Sequence, residues 1–158
     1  MMNNNNLQHN QFFTIEQDFS PDKITDAERL VMERFSHIYA NWADEKNLSR
    51  EAEELRVREI KGFKNILLSP WTLSDVTIEW DYWESVLRHR YKTQNGDGYV
   101  QINWDRRGWL TDLLCVMKPV TRAEALTVCK WLLACDYFEE RDSLFDRIIL
   151  NLVGECEE

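Results

Sequence analysis

The sequence from Leu73 to Trp104, LSDVTIEWDYWESVLRHRYKTQNGDGYVQINW, decides between two folds. Apolar and polar residues alternate over residues 75–82, which is typical of a half-buried strand. The same stretch carries apolar residues at spacings of three and four, as an amphipathic helix does, and Thr72 with Asp75 resembles a helix start. The helical stripe consists of Leu73, Val76, Trp80, Trp83, Leu87 and Tyr91.

The sequence that follows favours strands. Residues 95–98 read NGDG, a strong turn signal, and residues 99–104 read YVQINW, which alternates with period two. A strand at 99–104 needs a neighbour, and residues 86–93 are the nearest candidate. We therefore predict an α+β domain with a small antiparallel β meander, and an all-α domain is the alternative.

Two helices are predicted before this region. Thr25, Asp26, Ala27 and Glu28 form a capping box, so a helix begins there, with Glu28 off its apolar face. Ser49 can cap a second helix that ends before Pro70.

A helical hairpin is predicted after the meander. Residues 109–117 form a short helix, and residues 121–124, TRAE, are another capping box that opens a helix through Cys135. Residues 137–153 carry an apolar stripe, and the short connection predicts that the last two helices pack as a hairpin.

Composition indicates one folded unit. The chain has 158 residues, 44% of them hydrophobic, which is enough for one core. Residues 1–11 are Asn-rich and are predicted to be a flexible tail, and residues 12–158 a single globular domain. The N-terminal sequence lacks a signal-peptide pattern and no apolar run approaches membrane-spanning length, so we expect a cytoplasmic protein.

The sequence contains no recognised motif for binding a cofactor or a metal ion. Cys115, Cys129, Cys135 and Cys156 form no CxxC pair, and we expect them to be reduced and structural. No phosphate-binding loop, nucleophile elbow or zinc-protease motif occurs in the chain. We therefore expect no cofactor and no bound metal.

Tryptophan and acidic residues cluster in one segment, and this cluster supplies the candidate site. The chain contains seven tryptophans, and no Lys or Arg occurs between Lys64 and Arg88. Aromatic side chains rimmed by one sign of charge are typical of protein-binding surfaces. Both the strand and the helix interpretation place Glu79 and Asp81 in solvent. The predicted binding residues are Trp71, Asp75, Glu79, Trp80, Asp81, Trp83 and Glu84.

The leading functional hypothesis is a non-catalytic, acidic protein-binding module of the inhibitor, immunity-protein or adaptor type. The net charge of −9 suits a partner protein with a basic surface and disfavours direct nucleic-acid binding. A nucleic-acid-processing enzyme is one such partner, although basic residues interleave with acidic ones over residues 28–64. No membrane partner is expected.

Two alternatives remain open. A small metal-dependent hydrolase or phosphoryl-transfer enzyme would be centred on Glu79, Asp81, Glu84 and His89, with Asp97 and Asp105 as further ligands. A nucleic-acid-binding factor would use a basic cluster and one stacking platform. Its residues are Arg88, Arg90, Lys92, Arg106, Arg107 and Trp104.

Overall fold

The computed structural model describes residues 24–39, 50, 54, 69–93, 98–138 and 142–154. Within these residues every regular element is helical and no strand occurs, so the predicted α+β fold is wrong and the all-α alternative holds. The elements are α1 (Asp26–Tyr39), α2 (Leu73–Thr93), α3 (Gly98–Val116), α4 (Arg122–Ala134), a 3-10 turn (Asp136–Phe138) and α5 (Asp142–Val153).

The segment that was ambiguous in the sequence is the 21-residue helix α2. Thr72 and Asp75 cap its start reciprocally: the Asp75 N–H donates to Thr72 Oγ1 at 3.1 Å, and the Thr72 N–H donates to Asp75 Oδ2 at 3.1 Å. Ile78, which a strand would bury beside Trp80, is 52% exposed, whereas Trp83 is fully buried. The spacing of three and four therefore describes the buried face, and the alternation of period two does not.

The predicted meander is replaced by two antiparallel helices. Contacts between α2 and α3 join Trp80 to Thr111 and Glu84 to Arg107, so the residue numbers rise along one helix as they fall along the other. Of the predicted NGDG turn at residues 95–98, Gly98 is the first residue of α3, and residues 94–97 fall outside the described residues.

Two ion pairs in the interior place charged side chains on the buried faces of the helices. Arg106 is fully buried, and its Nε and NH2 groups donate to Glu79 Oε1 and Oε2 at 2.6 and 3.1 Å. Likewise Arg90 pairs with Glu28, and both side chains are buried. Because charged residues occupy the buried faces of the helices, a pattern read from apolar residues alone misses the period of the helix.

The predicted N-terminal capping box is confirmed. The Thr25 N–H donates to Glu28 Oε2 at 2.8 Å, the Glu28 N–H donates to Thr25 Oγ1 at 3.2 Å, and α1 begins at Asp26. Glu28 was expected off the apolar face, but it is buried against Arg90. Of the second predicted helix only Arg50 and Glu54 are described, both as helical, and the predicted tail at 1–11 lies outside the described residues.

Of the two C-terminal helices, α4 begins where the sequence predicted, whereas α5 begins at Asp142 and not at Tyr137, which lies in the 3-10 turn. The Glu124 N–H donates to Thr121 Oγ1 at 3.1 Å at the start of α4, which ends at Ala134. Helix α5 contacts both α3 and α4. All the helices contribute to one core, whose largest fully buried apolar side chains include Trp80, Trp83, Phe138, Leu73, Ile102 and Leu110.

Candidate functional site

Helices α2 and α4 lie side by side and run in the same direction. The Ser74 N–H at the start of α2 donates to Glu124 Oε1 at the start of α4, at 3.0 Å. Seven residues further along each helix, Trp131 Nε1 donates to Asp81 Oδ1 and Oδ2 at 2.9 and 3.0 Å. Seven residues are about two helical turns, so the register between the two helices is the same at both contacts.

An open cleft of about 500 Å³ lies along the C-terminal halves of these helices and reaches the 3-10 turn. Two indole rings, one cysteine and four charged side chains surround it. The lining residues are Trp80, Asp81, Glu84, Ser85, Arg88, Trp131, Ala134, Cys135 and Asp136. We call this region the acidic cleft, because it contains three carboxylates and one guanidinium.

Asp81 lies at the wall of the acidic cleft and keeps contact with solvent. Partial burial raises the pKa of its carboxyl group above the ordinary value of 3.8, and the negative charge of Glu84 acts in the same direction. The hydrogen bond from the Trp131 indole opposes this shift. The indole N–H holds both oxygens of the carboxylate, and it brings no positive charge to them.

Glu84, one turn further along α2, is paired with two arginines. Arg88 Nε donates to Glu84 Oε1 at 2.8 Å, and the Arg107 guanidinium donates to Oε2. The guanidinium carbon of Arg107 lies 4.6 Å from the ring centroid of Tyr137, 5.5 Å from that of Trp104 and 5.7 Å from that of Trp80. Beside the acidic cleft, the Arg107 guanidinium is therefore bound to the Glu84 carboxylate and surrounded by aromatic rings.

Trp80 forms a rigid wall of the cleft. Its Nε1–H donates to Thr111 Oγ1 at 3.0 Å, and its ring meets the rings of Trp131, Tyr137 and Phe138 at centroid distances of 5.4, 5.2 and 5.6 Å. Each of these distances lies in the favourable range for aromatic pairs. The aromatic cluster fixes the position of Trp131, and Trp131 fixes the Asp81 carboxylate.

Of the seven residues predicted to bind a partner, three line the acidic cleft: Trp80, Asp81 and Glu84. Two others are interior: Glu79, which was expected in solvent, is 5% exposed, and Trp83, which belongs to the helical stripe, donates to it through Nε1 at 3.0 Å. Glu79 is buried because the helix turns it toward Arg106, and this contact between helices is invisible in the local sequence.

The remaining two predicted residues lie at the start of α2. Asp75 takes part in the helix cap, and Trp71 is 70% exposed but does not line the acidic cleft. Three further lining residues were not predicted from the sequence: Trp131, Cys135 and Asp136. The register between α2 and α4 brings them to the cleft, and no motif in the sequence encodes that register.

The groups proposed for metal chemistry that the structure describes do not form a metal-binding cluster. Within the described residues, no group of three or more His, Cys, Asp or Glu side chains could hold a metal ion. Glu79 is engaged by Arg106, and Asp105 is buried with Oδ1 accepting from Gln101 Nε2 at 3.2 Å. His89 is exposed, and Asp97 lies outside the described residues.

The basic residues proposed to bind nucleic acid are mostly engaged by carboxylates. Arg90 and Arg106 are buried against Glu28 and Glu79, while Arg107 and Arg88 share Glu84. Trp104 is half-exposed, and the ring has the Arg107 guanidinium beside it. The side chain of Lys92 lies outside the described residues.

The three described cysteines, Cys115, Cys129 and Cys135, are free thiols, and Cys156 lies outside the described residues. Burial raises the pKa of the Cys115 and Cys135 thiols. A raised pKa lowers the fraction of thiolate, so Cys135 in the acidic cleft is a poor nucleophile at neutral pH.

A scan against protein-family models, a search of curated proteins and a search of solved structures each found no match to this chain. Among the described helices, none is both long enough and apolar enough to cross a membrane.

Proposed function

We propose that this chain is a non-catalytic, acidic protein-binding module of the inhibitor, immunity-protein or adaptor type, and that it occludes a basic surface of a partner protein. The acidic cleft is the observation that carries the proposal. It combines indole walls with an excess of carboxylates over guanidinium groups, the combination that a basic protein surface complements. The cytoplasmic location expected from the sequence is part of the proposal.

The charge of the lining supports this function. Asp81, Glu84 and Asp136 give three negative charges, while Arg88 in the lining and Arg107, which pairs with Glu84, give two positive charges, so the region sums to −1. The chain as a whole carries −9. Because the molecule and the cleft are both negatively charged, a positively charged partner should associate faster.

The same geometry favours this function over the two alternatives. Arg88, Arg90, Arg106 and Arg107 already pair with carboxylates, so they offer little uncompensated charge to phosphates. For metal-dependent chemistry, Glu79 would first have to leave a buried ion pair. A binding role, in contrast, requires no rearrangement of the residues that line the cleft.

The test compares two charge-matched double variants. The cleft variant is Asp81→Asn with Asp136→Asn, and the control is Glu33→Gln with Asp146→Asn, which removes the same charge from exposed residues that do not line the cleft. Wild-type and both variants are immobilised and exposed to extract of the native host. Retained proteins are identified by mass spectrometry, and the partner is then purified for kinetic measurements at two salt concentrations.

We expect a partner with a basic surface that binds wild-type and control alike. The cleft variant should associate more slowly at low salt, on the order of tenfold, because steering depends on local charge. High salt should reduce the difference. Equal association rates for the cleft variant and the control would contradict the proposal. So would tight, salt-dependent binding to generic DNA or RNA that the cleft variant retains.

A further inference from the structure

We propose that the acidic cleft receives one arginine side chain from the basic surface of the partner protein, with its guanidinium against the Asp81 carboxylate and the Trp131 ring. This inference rests on the proposed function and names the chemical group that the site recognises. It specifies more than a general attraction between opposite charges, because it assigns one group to one place.

Within the described residues the Asp81 carboxylate forms no salt bridge, unlike Glu84, which pairs with Arg88 and Arg107. The hydrogen bonds described for its carboxylate come from the neutral indole of Trp131. A carboxylate can accept about four hydrogen bonds, and one shared N–H leaves most of that capacity open. Since burial and Glu84 both disfavour the negative charge at this position, an incoming cation relieves a cost that is already present.

The chain itself shows that this environment accommodates a guanidinium. Arg107 bonds to Glu84 while its guanidinium lies beside Tyr137, Trp104 and Trp80. Asp81 and Trp131 also place a carboxylate next to an aromatic ring, and both residues line the cleft.

The shape and charge of the cleft support one side chain as the occupant. Its volume of about 500 Å³ falls within the ~300–1,000 Å³ typical of small-molecule pockets, so it has room for an arginine side chain. Asp136 adds a second carboxylate at the rim, and Arg88 is directed to Glu84. Arginine suits the site better than lysine, because its planar, weakly hydrated guanidinium stacks on rings and forks onto a carboxylate.

The experiment uses a capped amino acid, so that only the side chain differs between probes. N-acetyl-arginine N-methylamide is titrated into the uniformly ¹⁵N-labelled full chain, and the indole N–H signals of the seven tryptophans are followed. The Trp131 signal is assigned by its loss in Trp131→Phe. The citrulline analogue keeps the shape without the charge, and the lysine analogue keeps the charge without the planar fork.

We expect the arginine probe to shift the Trp131 indole signal with saturation in the millimolar range. The citrulline probe should leave that signal unmoved, and the lysine probe should bind more weakly. Asp81→Asn should weaken arginine binding roughly tenfold, as for loss of a charged hydrogen-bond partner, while Glu33→Gln should leave it unchanged. Asp136→Asn provides a second cleft variant, from which we expect a smaller loss, should Asp81→Asn unfold the chain.

Several outcomes would overturn the inference: no saturable shift of the Trp131 signal, equal binding of citrulline, lysine bound as tightly as arginine, or cleft variants that bind arginine as wild-type does. These results are distinct from failure of the proposed function. If a partner protein needs the cleft but the chain does not bind the arginine probe, the proposed function stands and the arginine assignment is wrong. A partner indifferent to the cleft variant removes both.

Discussion

Neutralising Glu79 should destabilise the fold strongly, although the sequence alone placed this residue in solvent. Its carboxylate accepts from Arg106 at 2.6 and 3.1 Å and from Trp83 at 3.0 Å, and both ionic side chains are buried. In Glu79→Gln the amide oxygen can still accept one hydrogen bond, but Arg106 retains a buried positive charge without its counter-ion. The stability of the fold therefore depends on the ion pair between α2 and α3.

Breaking a buried ion pair by removing one partner costs about 3–5 kcal/mol. That is a large part of the roughly 5–15 kcal/mol by which a domain is stable. For a chain of 158 residues, a loss near the lower end corresponds to a fall in melting temperature of about 10 °C. Adding Arg106→Met to Glu79→Gln should restore much of the loss, because the uncompensated charge is then removed.

The assay is urea unfolding followed by circular dichroism, with thermal melts beside it. Glu54→Gln is the matched control, since Glu54 and Arg50 form an exposed pair at 2.9 Å and the change there should cost at most about 0.5 kcal/mol. If Glu79→Gln were as stable as Glu54→Gln, the carboxylate would not be paired in the interior. The packing of α2 against α3 described above would then be wrong.

Three further predictions concern single side chains. Burial and the charge of Glu28 raise the pKa of Tyr82 to about 12, so the free energy of unfolding should fall as pH rises from 10.0 toward 12, and Tyr82→Phe should remove this part of the alkaline loss. The tyrosinate absorbance that is lost in Tyr82→Phe should appear late in the alkaline titration, and its appearance near pH 10.0 would contradict the burial. The pKa of Asp81 is raised above 3.8, so the native state binds the proton more tightly than the unfolded state does. The contribution of protonated Asp81 to the free energy of unfolding should therefore decline as pH rises from 3.8 through the raised pKa. The Trp131 indole signal should titrate with a midpoint above 3.8 and stop titrating in Asp81→Asn. Asn151 Nδ2 donates to the carbonyl oxygens of residues 114 and 117 at 2.9 and 2.7 Å, so Asn151→Ala should cost about 1–3 kcal/mol in urea unfolding, and an unchanged midpoint would show that water replaces the cap.

The candidate site depends partly on local sequence and partly on contacts between residues that are distant in the chain. The sequence drew attention to α2 because tryptophans and carboxylates concentrate there, and Trp80, Asp81 and Glu84 do line the acidic cleft. It could not separate them from Glu79 and Trp83, which the helix turns into the core. A residue's exposure depends on which helix packs against it.

What the sequence by itself determined is where several helices begin. Thr25, Thr72 and Thr121 each have an acidic residue three positions later, and in each case the hydroxyl accepts the N–H of that residue. A capping box is a contact within one turn, so it is encoded locally and forms wherever the chain can become helical.

What only the tertiary structure decided is which faces of those helices are inside. Glu28 with Arg90 and Glu79 with Arg106 are 62 and 27 residues apart in the chain, and each charge is buried only because the other is present. The acidic cleft likewise depends on Asp81 and Trp131, 50 residues apart, meeting where α2 and α4 run side by side. A charged residue by itself prefers water, and pairing with a residue distant in the chain overcomes that preference. The pattern of neighbouring residues therefore cannot predict which charged residues are buried.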